Sequence, residues 1–160
     1  MADIITESGM DFVANNTFHI EKSQLYTNLG EGVHSVEFIR AKDNTLLFVE
    51  AKTTFPNPEK SEENFQTQIN DICDKFIHSL SLYSSVEVGV NEKMFANDFV
   101  LSEKVFLIFI LVIKNHEIKW CRPIKQKITL TLPSYLKKIW KPEVYVLNHE
   151  AASKRKLVIT

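Results

Sequence analysis

The sequence predicts an α/β domain: a mixed sheet of about five strands flanked by helices. Three stretches carry that prediction. Residues 33–52 read as two strands joined by turn residues, residues 57–83 repeat apolar side chains every three or four positions, and residues 105–113 form an unbroken apolar run. A strand pair, a long amphipathic helix and a strand covered on both faces are the parts of a sheet with helices packed against it. At 160 residues the chain is one domain, long enough to bury about two thirds of the surface its unfolded form exposes. With 44% hydrophobic and 24% charged residues and only 4 Gly and 5 Pro, it has a globular composition rather than a fibrous or disordered one.

Taken in order, residues 1–30 offer short extended pieces at Asp11-Phe12-Val13 and Thr17-Phe18-His19-Ile20-Glu21, separated by the turn-prone Asn15-Asn16. Glu21 then stands at the end of a short apolar strand, a candidate third metal ligand whose ordinary reading is a solvated strand end. Residues 33–40 alternate as a strand, with Val36 and Phe38 on one face and Glu37 and Ile39 on the other. Lys42-Asp43-Asn44-Thr45 supplies a turn, so residues 45–54 return as the second strand of a hairpin. Pro56 and Pro58 end that strand, and Asn57 is placed to cap a helix that begins at Pro58. Phe65, Ile69, Ile72, Phe76, Leu80 and Tyr83 mark its buried stripe. Gln66 and Gln68 flank that stripe as surface residues. Residues 85–103 read as a short helical or irregular connection, residues 105–113 as a central strand, and Lys114-Asn115-His116-Glu117 as a turn. Residues 125–132 alternate like an edge strand or extended loop, residues 133–140 read as a short helix, residues 143–147 as a final strand and residues 151–156 as a basic tail.

Composition also excludes classes. Cys73 and Cys121 are too few for a disulfide framework or a zinc site. The acidic start of the chain lacks a secretory pattern, and nine apolar residues cannot span a bilayer as a helix. The expectation is a cytoplasmic, membrane-free protein. The formal charge of −1 conceals a division: residues 1–103 hold 7 Lys+Arg against 17 Asp+Glu, and residues 104–160 hold 12 against 3. That division suggests an acidic metal-binding half and a basic half facing phosphate, although folding can also intermingle the two. Arg122, Lys125, Lys127, Lys137 and Lys138 are candidate nucleic-acid contacts, as are Lys141, Lys154, Arg155 and Lys156, while a solvated face is the ordinary reading of any one of them.

Chemistry concentrates in Thr45-Leu46-Leu47-Phe48-Val49-Glu50-Ala51-Lys52, an apolar strand that suddenly carries an acid and a base two residues apart. In a strand Glu50 and Lys52 share a face, with Leu47, Val49 and Ala51 on the other. Charges in so apolar a segment cost several kcal/mol unless they find partners, a metal or a substrate. Across the hairpin Glu37 lies beside Glu50, with cross-strand neighbours roughly 5 Å apart, so Glu37, Glu50 and Lys52 should converge.

This succession of hairpin, Glu-x-Lys, long helix and central strand resembles the PD-(D/E)xK nuclease superfamily, the restriction-endonuclease-like fold, over about residues 33–113. Glu37, twelve intervening residues and then Glu50-Ala51-Lys52 match its motif, with Val36-Glu37 where the superfamily has Pro-Asp. The resemblance implies that Glu37 and Glu50 bind a divalent metal, Mg²⁺ or Mn²⁺, with Glu21 as a third ligand standing in for the acid of the superfamily's leading helix. It further implies that Lys52 orients or activates the attacking water and stabilises the charged phosphate, that DNA or RNA is the substrate, and that a homodimer serves to reach two strands. Phosphodiester hydrolysis needs those groups on independent grounds: carboxylate oxygens for a hard cation and a nearby positive charge for the developing negative one. The alternative is a catalytically inactive nuclease fold kept as a binding or scaffold module, in which Lys52 merely pairs with Glu37 or Glu50.

Overall fold

The computed structural model describes residues 3–92 and 105–159. Five strands form the main sheet in the order β3 (Thr17–Phe18), β4 (Phe38–Lys42), β5 (Thr45–Lys52), β6 (Phe106–Ile113) and β7 (Glu143–Asn148). The β3/β4 and β4/β5 pairs are antiparallel, whereas β5/β6 and β6/β7 are parallel. The sheet is therefore mixed, as the sequence predicts. A separate hairpin, β1 (Ile4–Glu7) and β2 (Met10–Val13), lies apart from it in pairing, and a one-turn helix, α1 (Gln24–Thr27), lies between β3 and β4.

The turn between β4 and β5 falls where expected: Asp43 adopts a φ of 54°, which Asp tolerates better than most residues. Strand β5 sends alternate side chains to two cores. Leu46 and Phe48 pack under α2 (Glu62–Glu87), and Leu47, Val49 and Ala51 pack on the opposite side with Met10, Phe12 and Ala152. Strand β6 does the same, with Phe109 and Leu111 toward α2 and Ile110 and Val112 toward the hairpin. It is buried on both faces, as its continuous apolar run requires. Phe76 of α2 stacks on Phe109 with ring centroids 4.6 Å apart and planes 4° from parallel. Fully burying such a ring contributes about 1.5–3 kcal/mol. Phe48 meets both Phe109 and Tyr83 edge to face.

Several boundaries differ from expectation, each for a local reason. Helix α2 begins at Glu62 rather than Pro58 because Asn57 closes a turn first: its Oδ1 accepts from the Glu59 N–H at 2.8 Å, and its carbonyl accepts from Lys60 and Ser61. The same helix runs on to Glu87, past the expected end. The rest of the connection between α2 and β6 lies largely outside the described residues. Strand β4 begins only at Phe38, since the Val36 N–H donates to Ser79 Oγ at 2.8 Å instead of joining the ladder. In consequence Val36 and Phe38 end in different cores rather than on one face. Residues 125–132 are not a strand. Residues 125–131 belong to α3 (Ile118–Thr131), where Cys121, Ile124 and Ile128, with Leu132 just past its end, form a buried stripe. Pro123 inside the helix and the branched Ile128, Thr129 and Thr131 disguise it, because Ile128 and Leu132 satisfy a period of two as well as a helical one. The short helix α4 (Ser134–Trp140) and the basic tail, as α5 (His149–Lys154), follow. No helix among the described residues is long and apolar enough to cross a membrane.

Candidate metal centre

The site forms where the start of β4 meets the end of β5. The register Phe38↔Val49, with the Glu37 N–H donating to the Val49 carbonyl at 3.0 Å, carries Glu37 alongside Glu50. Both are nearly sealed from solvent, at 8% and 1% exposure. Glu37 and Glu50 therefore lie on the same side of the sheet, as the hairpin reading requires.

Glu21 joins them from an unexpected element. Strand β3 ends at Phe18, paired with Ile39, and the chain turns into a single 3-10 turn, Ile20–Lys22. Glu21 is thus on a turn rather than at a strand end. From there its carboxyl acts on that of Glu37. Burial first, then the neighbouring carboxyls of Glu21, Glu50 and Glu7, push the Glu37 carboxyl up to about 9, so it carries a proton at neutral pH. Its Oε2 is buried without a hydrogen-bond partner.

Glu50 is held differently. Lys75, on α2, reaches Glu50 Oε1 at 2.6 Å, while Lys52 stands 3.7 Å from the same oxygen and 3.9 Å from Asp71 Oδ2. Burial raises the Glu50 pKa; Lys75 and Lys52 oppose that rise without cancelling it. For Lys75 the balance is reversed. Burial alone depresses its ammonium, but the charge and hydrogen bond of Glu50, with Asp71 and Glu37, outweigh burial and hold the pKa above its usual value. Like that of Glu37, the second oxygen of Glu50, Oε2, is buried and unpartnered.

Sequence reasoning thus finds Glu37, Glu50, Lys52 and Glu21 and misses Lys75 and Asp71. Those two sit four apart on α2, bordering the buried stripe, where a lysine reads as surface; only their placement over a buried acid of β5 marks them. Also missed is the hairpin's contribution. Ser8 and Gly9, with φ of 51° and 72°, make the tight left-handed turn between β1 and β2, and Ser8 Oγ donates to the Ala51 carbonyl at 3.1 Å. That tether brings Glu7 to the same end of β5.

The candidate phosphate contacts gather in part: Lys125 and Lys137 line one groove with Tyr145, and Arg155 stands over the same ring 4.6 Å from its centroid. Arg122 and Lys125 share a groove of about 830 Å³ with Ile118 and Leu130, and Lys125 also stands over the Tyr145 ring. Lys127 lines a different groove beside Glu62 and Glu63. Lys137 donates to the Thr129 carbonyl at 2.9 Å, and Lys138 is exposed on α4.

The carboxylate donors suit a hard divalent cation, and two buried carboxylate oxygens without partners are the feature such an ion satisfies. Comparison of the chain with protein-family models, with curated proteins and with solved structures finds no match.

Proposed function

We propose that the protein is a metal-dependent nuclease that hydrolyses phosphodiester bonds of DNA or RNA. The observation that carries this reading is the pair of buried, unpartnered oxygens on Glu37 and Glu50 beside Lys52. A structure built for stability alone leaves few such atoms, since each costs about 1–3 kcal/mol. Glu37, Glu50 and Glu21 would hold Mg²⁺ or Mn²⁺, and Glu37 would surrender its proton in doing so. The bound cation supplies a Lewis acid that polarises a phosphate oxygen and lowers the pKa of its water.

The chain's own groups do the rest. Lys75 fixes the Glu50 carboxylate through Oε1, leaving Oε2 free to face a ligand. Lys52 extends an ammonium between Glu50 and Asp71, a compact charge for the negative phosphate oxygens that develop during attack. Lys125, which lines one groove with Arg122 and another with Lys137, would contact the phosphate backbone together with them. Nucleic acid in the cytoplasm is the partner this reading requires, and cutting both strands of a duplex calls for a second copy of the chain.

A second reading is favoured by one contact. The 2.6 Å bond from Lys75 to Glu50 already compensates the buried charge, as it would in an inactive nuclease-fold scaffold. Cleavage assays separate the two. The nuclease reading expects single- or double-stranded DNA or RNA to be cut with Mg²⁺ or Mn²⁺ and not with EDTA, and Glu50→Gln to abolish cutting. A parent protein that cuts none of these substrates with either ion would support the scaffold.

A further inference from the structure

We propose that Glu7, His19 and Glu21 form a second cation site, one that selects a first-row transition-metal ion such as Mn²⁺ or Zn²⁺ over Mg²⁺. Three separate tethers bring the residues together. Glu7 ends β1 beside the turn fixed to Ala51, His19 follows β3 where Phe18 is locked to Ile39, and Glu21 lies on the 3-10 turn beyond. One ligand atom from each lies within 4.8 Å of the other two. Donors about 2.0–2.2 Å from a common ion are on the order of 3 to 4 Å apart, so a small closure of the group completes three-fold ligation.

Two further observations point to a ligand. Glu7 Oε1 and His19 Nε2 are 3.2 Å apart, yet both are buried atoms without an aligned hydrogen bond; the distance suits an ion pair while the orientation does not suit a donor and its acceptor. Beside them Glu37, more than nine-tenths buried, leaves Oε2 unpartnered. The competing cation, Lys22, stands 3.7 Å from Glu7 with its side chain 69% exposed. It can swing away. The Glu7 and His19 side chains are 18% and 25% exposed, which leaves an ion a way in from solvent.

The donor set decides the class of cation. Mg²⁺ takes oxygen ligands and keeps several waters, whereas an imidazole nitrogen with two carboxylates suits Mn²⁺, Zn²⁺ or Co²⁺. The inference extends the reading of Glu37 and Glu50 as a cation site, with Glu21 offering one carboxylate oxygen to each ion, and rests on it for the first ion, but not for the second.

Co²⁺ is the probe, because its visible absorption bands report nitrogen ligation directly, with calorimetric titration of Mn²⁺ and Mg²⁺ in parallel. The parent should bind Co²⁺ and Mn²⁺ more tightly than Mg²⁺. Both His19→Gln and Glu7→Gln should weaken Co²⁺ binding at least tenfold and alter its bands, while Glu50→Gln should still bind Co²⁺ with the parent's spectrum. The parent itself provides a test that no misfolded variant can spoil: Mn²⁺ should broaden the ring signals of His19 before those of the other four histidines. A His19→Gln protein that binds Co²⁺ as the parent does, or a parent whose His19 signals ignore Mn²⁺, would overturn the proposal. The two readings fail separately. Binding through His19 in a protein that cleaves nothing leaves this site standing and removes the nuclease, whereas Mg²⁺-dependent cleavage with Co²⁺ indifferent to His19 does the reverse.

Discussion

On the α2 side of the site, Glu50 meets two ammonium groups, Lys75 at 2.6 Å and Lys52 at 3.7 Å. Around Glu37, on the same face of the sheet, the groups that raise its pKa are carboxylates: Glu21, Glu50 and Glu7. Both acids are buried, and each solves the cost of desolvation differently. Glu50 keeps company with opposite charge; Glu37 takes a proton. A fixed lysine is a permanent partner, whereas a proton is one that a metal ion can replace. The lysines hold the Glu50 carboxylate in place; under the proposed function Glu37 would release its proton when a cation arrives.

Under the proposed nuclease function, the largest effect should come from Lys52, the charge placed to meet a phosphate. Lys52→Ala leaves Glu50 bonded to Lys75, so the fold should survive with little change in melting temperature, while cleavage falls on the order of a hundredfold or more. If cleavage by this variant equals the parent's, Lys52 is a surface partner of Asp71 and Glu50 and nothing more. Next in size is Lys75→Met, which strips the closest counter-charge from a buried acid. Chemical denaturation should show a loss of about 3–5 kcal/mol in the absence of metal, and added Mg²⁺ should recover part of it. A loss that Mg²⁺ cannot touch would mean that Glu50 binds only lysine.

A smaller effect tests the proton. The unfolded chain gives up the Glu37 proton near pH 4.5, but the folded metal-free chain does so only near 9. Between those values folding takes up a proton, so this group's contribution makes stability fall as pH rises through that window. Glu37→Gln removes the slope. Metal-free Glu37→Gln protein should melt at a higher temperature than the parent at pH 8, and the two should converge near pH 4; parallel curves across the range would place Glu37 in contact with water. Smallest is Lys125→Ala, expected to weaken nucleic-acid binding evenly across sequences and to lower the slope of log affinity against log salt by about one. An unchanged slope would remove that groove from the binding surface.

Much of this site was legible because it depends on short-range rules. Asp43 and Asn44 fix the hairpin turn, the turn fixes the register, and the register puts Glu37 beside Glu50; the period of two does the same for Glu50 and Lys52. Helix α3 was not legible, since Pro123 and the branched residues after it imitate an extended segment while Cys121, Ile124, Ile128 and Leu132 still supply a helical stripe. Lys75 was hidden for another reason. Its position on the flank of a buried stripe is one that solvent usually claims, and only the acid beneath it, 25 residues earlier in the chain, turns it inward. Glu7 and His19 depend on contacts still more distant in kind, a side-chain bond from a hairpin turn to the β5 backbone and a two-residue strand, neither of which leaves a periodic mark.

The most direct test of the central claim is the melting temperature of the parent with and without Mg²⁺, because it reads cation binding at Glu37 and Glu50 without requiring the right nucleic acid. A ligand at a hundredfold excess over its Kd stabilises a fold by about 2.7 kcal/mol, which for a chain of this size amounts to a rise of several degrees. The account predicts that rise for the parent and its loss in both Glu37→Gln and Glu50→Gln. A parent that melts at the same temperature with saturating Mg²⁺ as with EDTA would contradict it and leave the buried acids as parts of a scaffold.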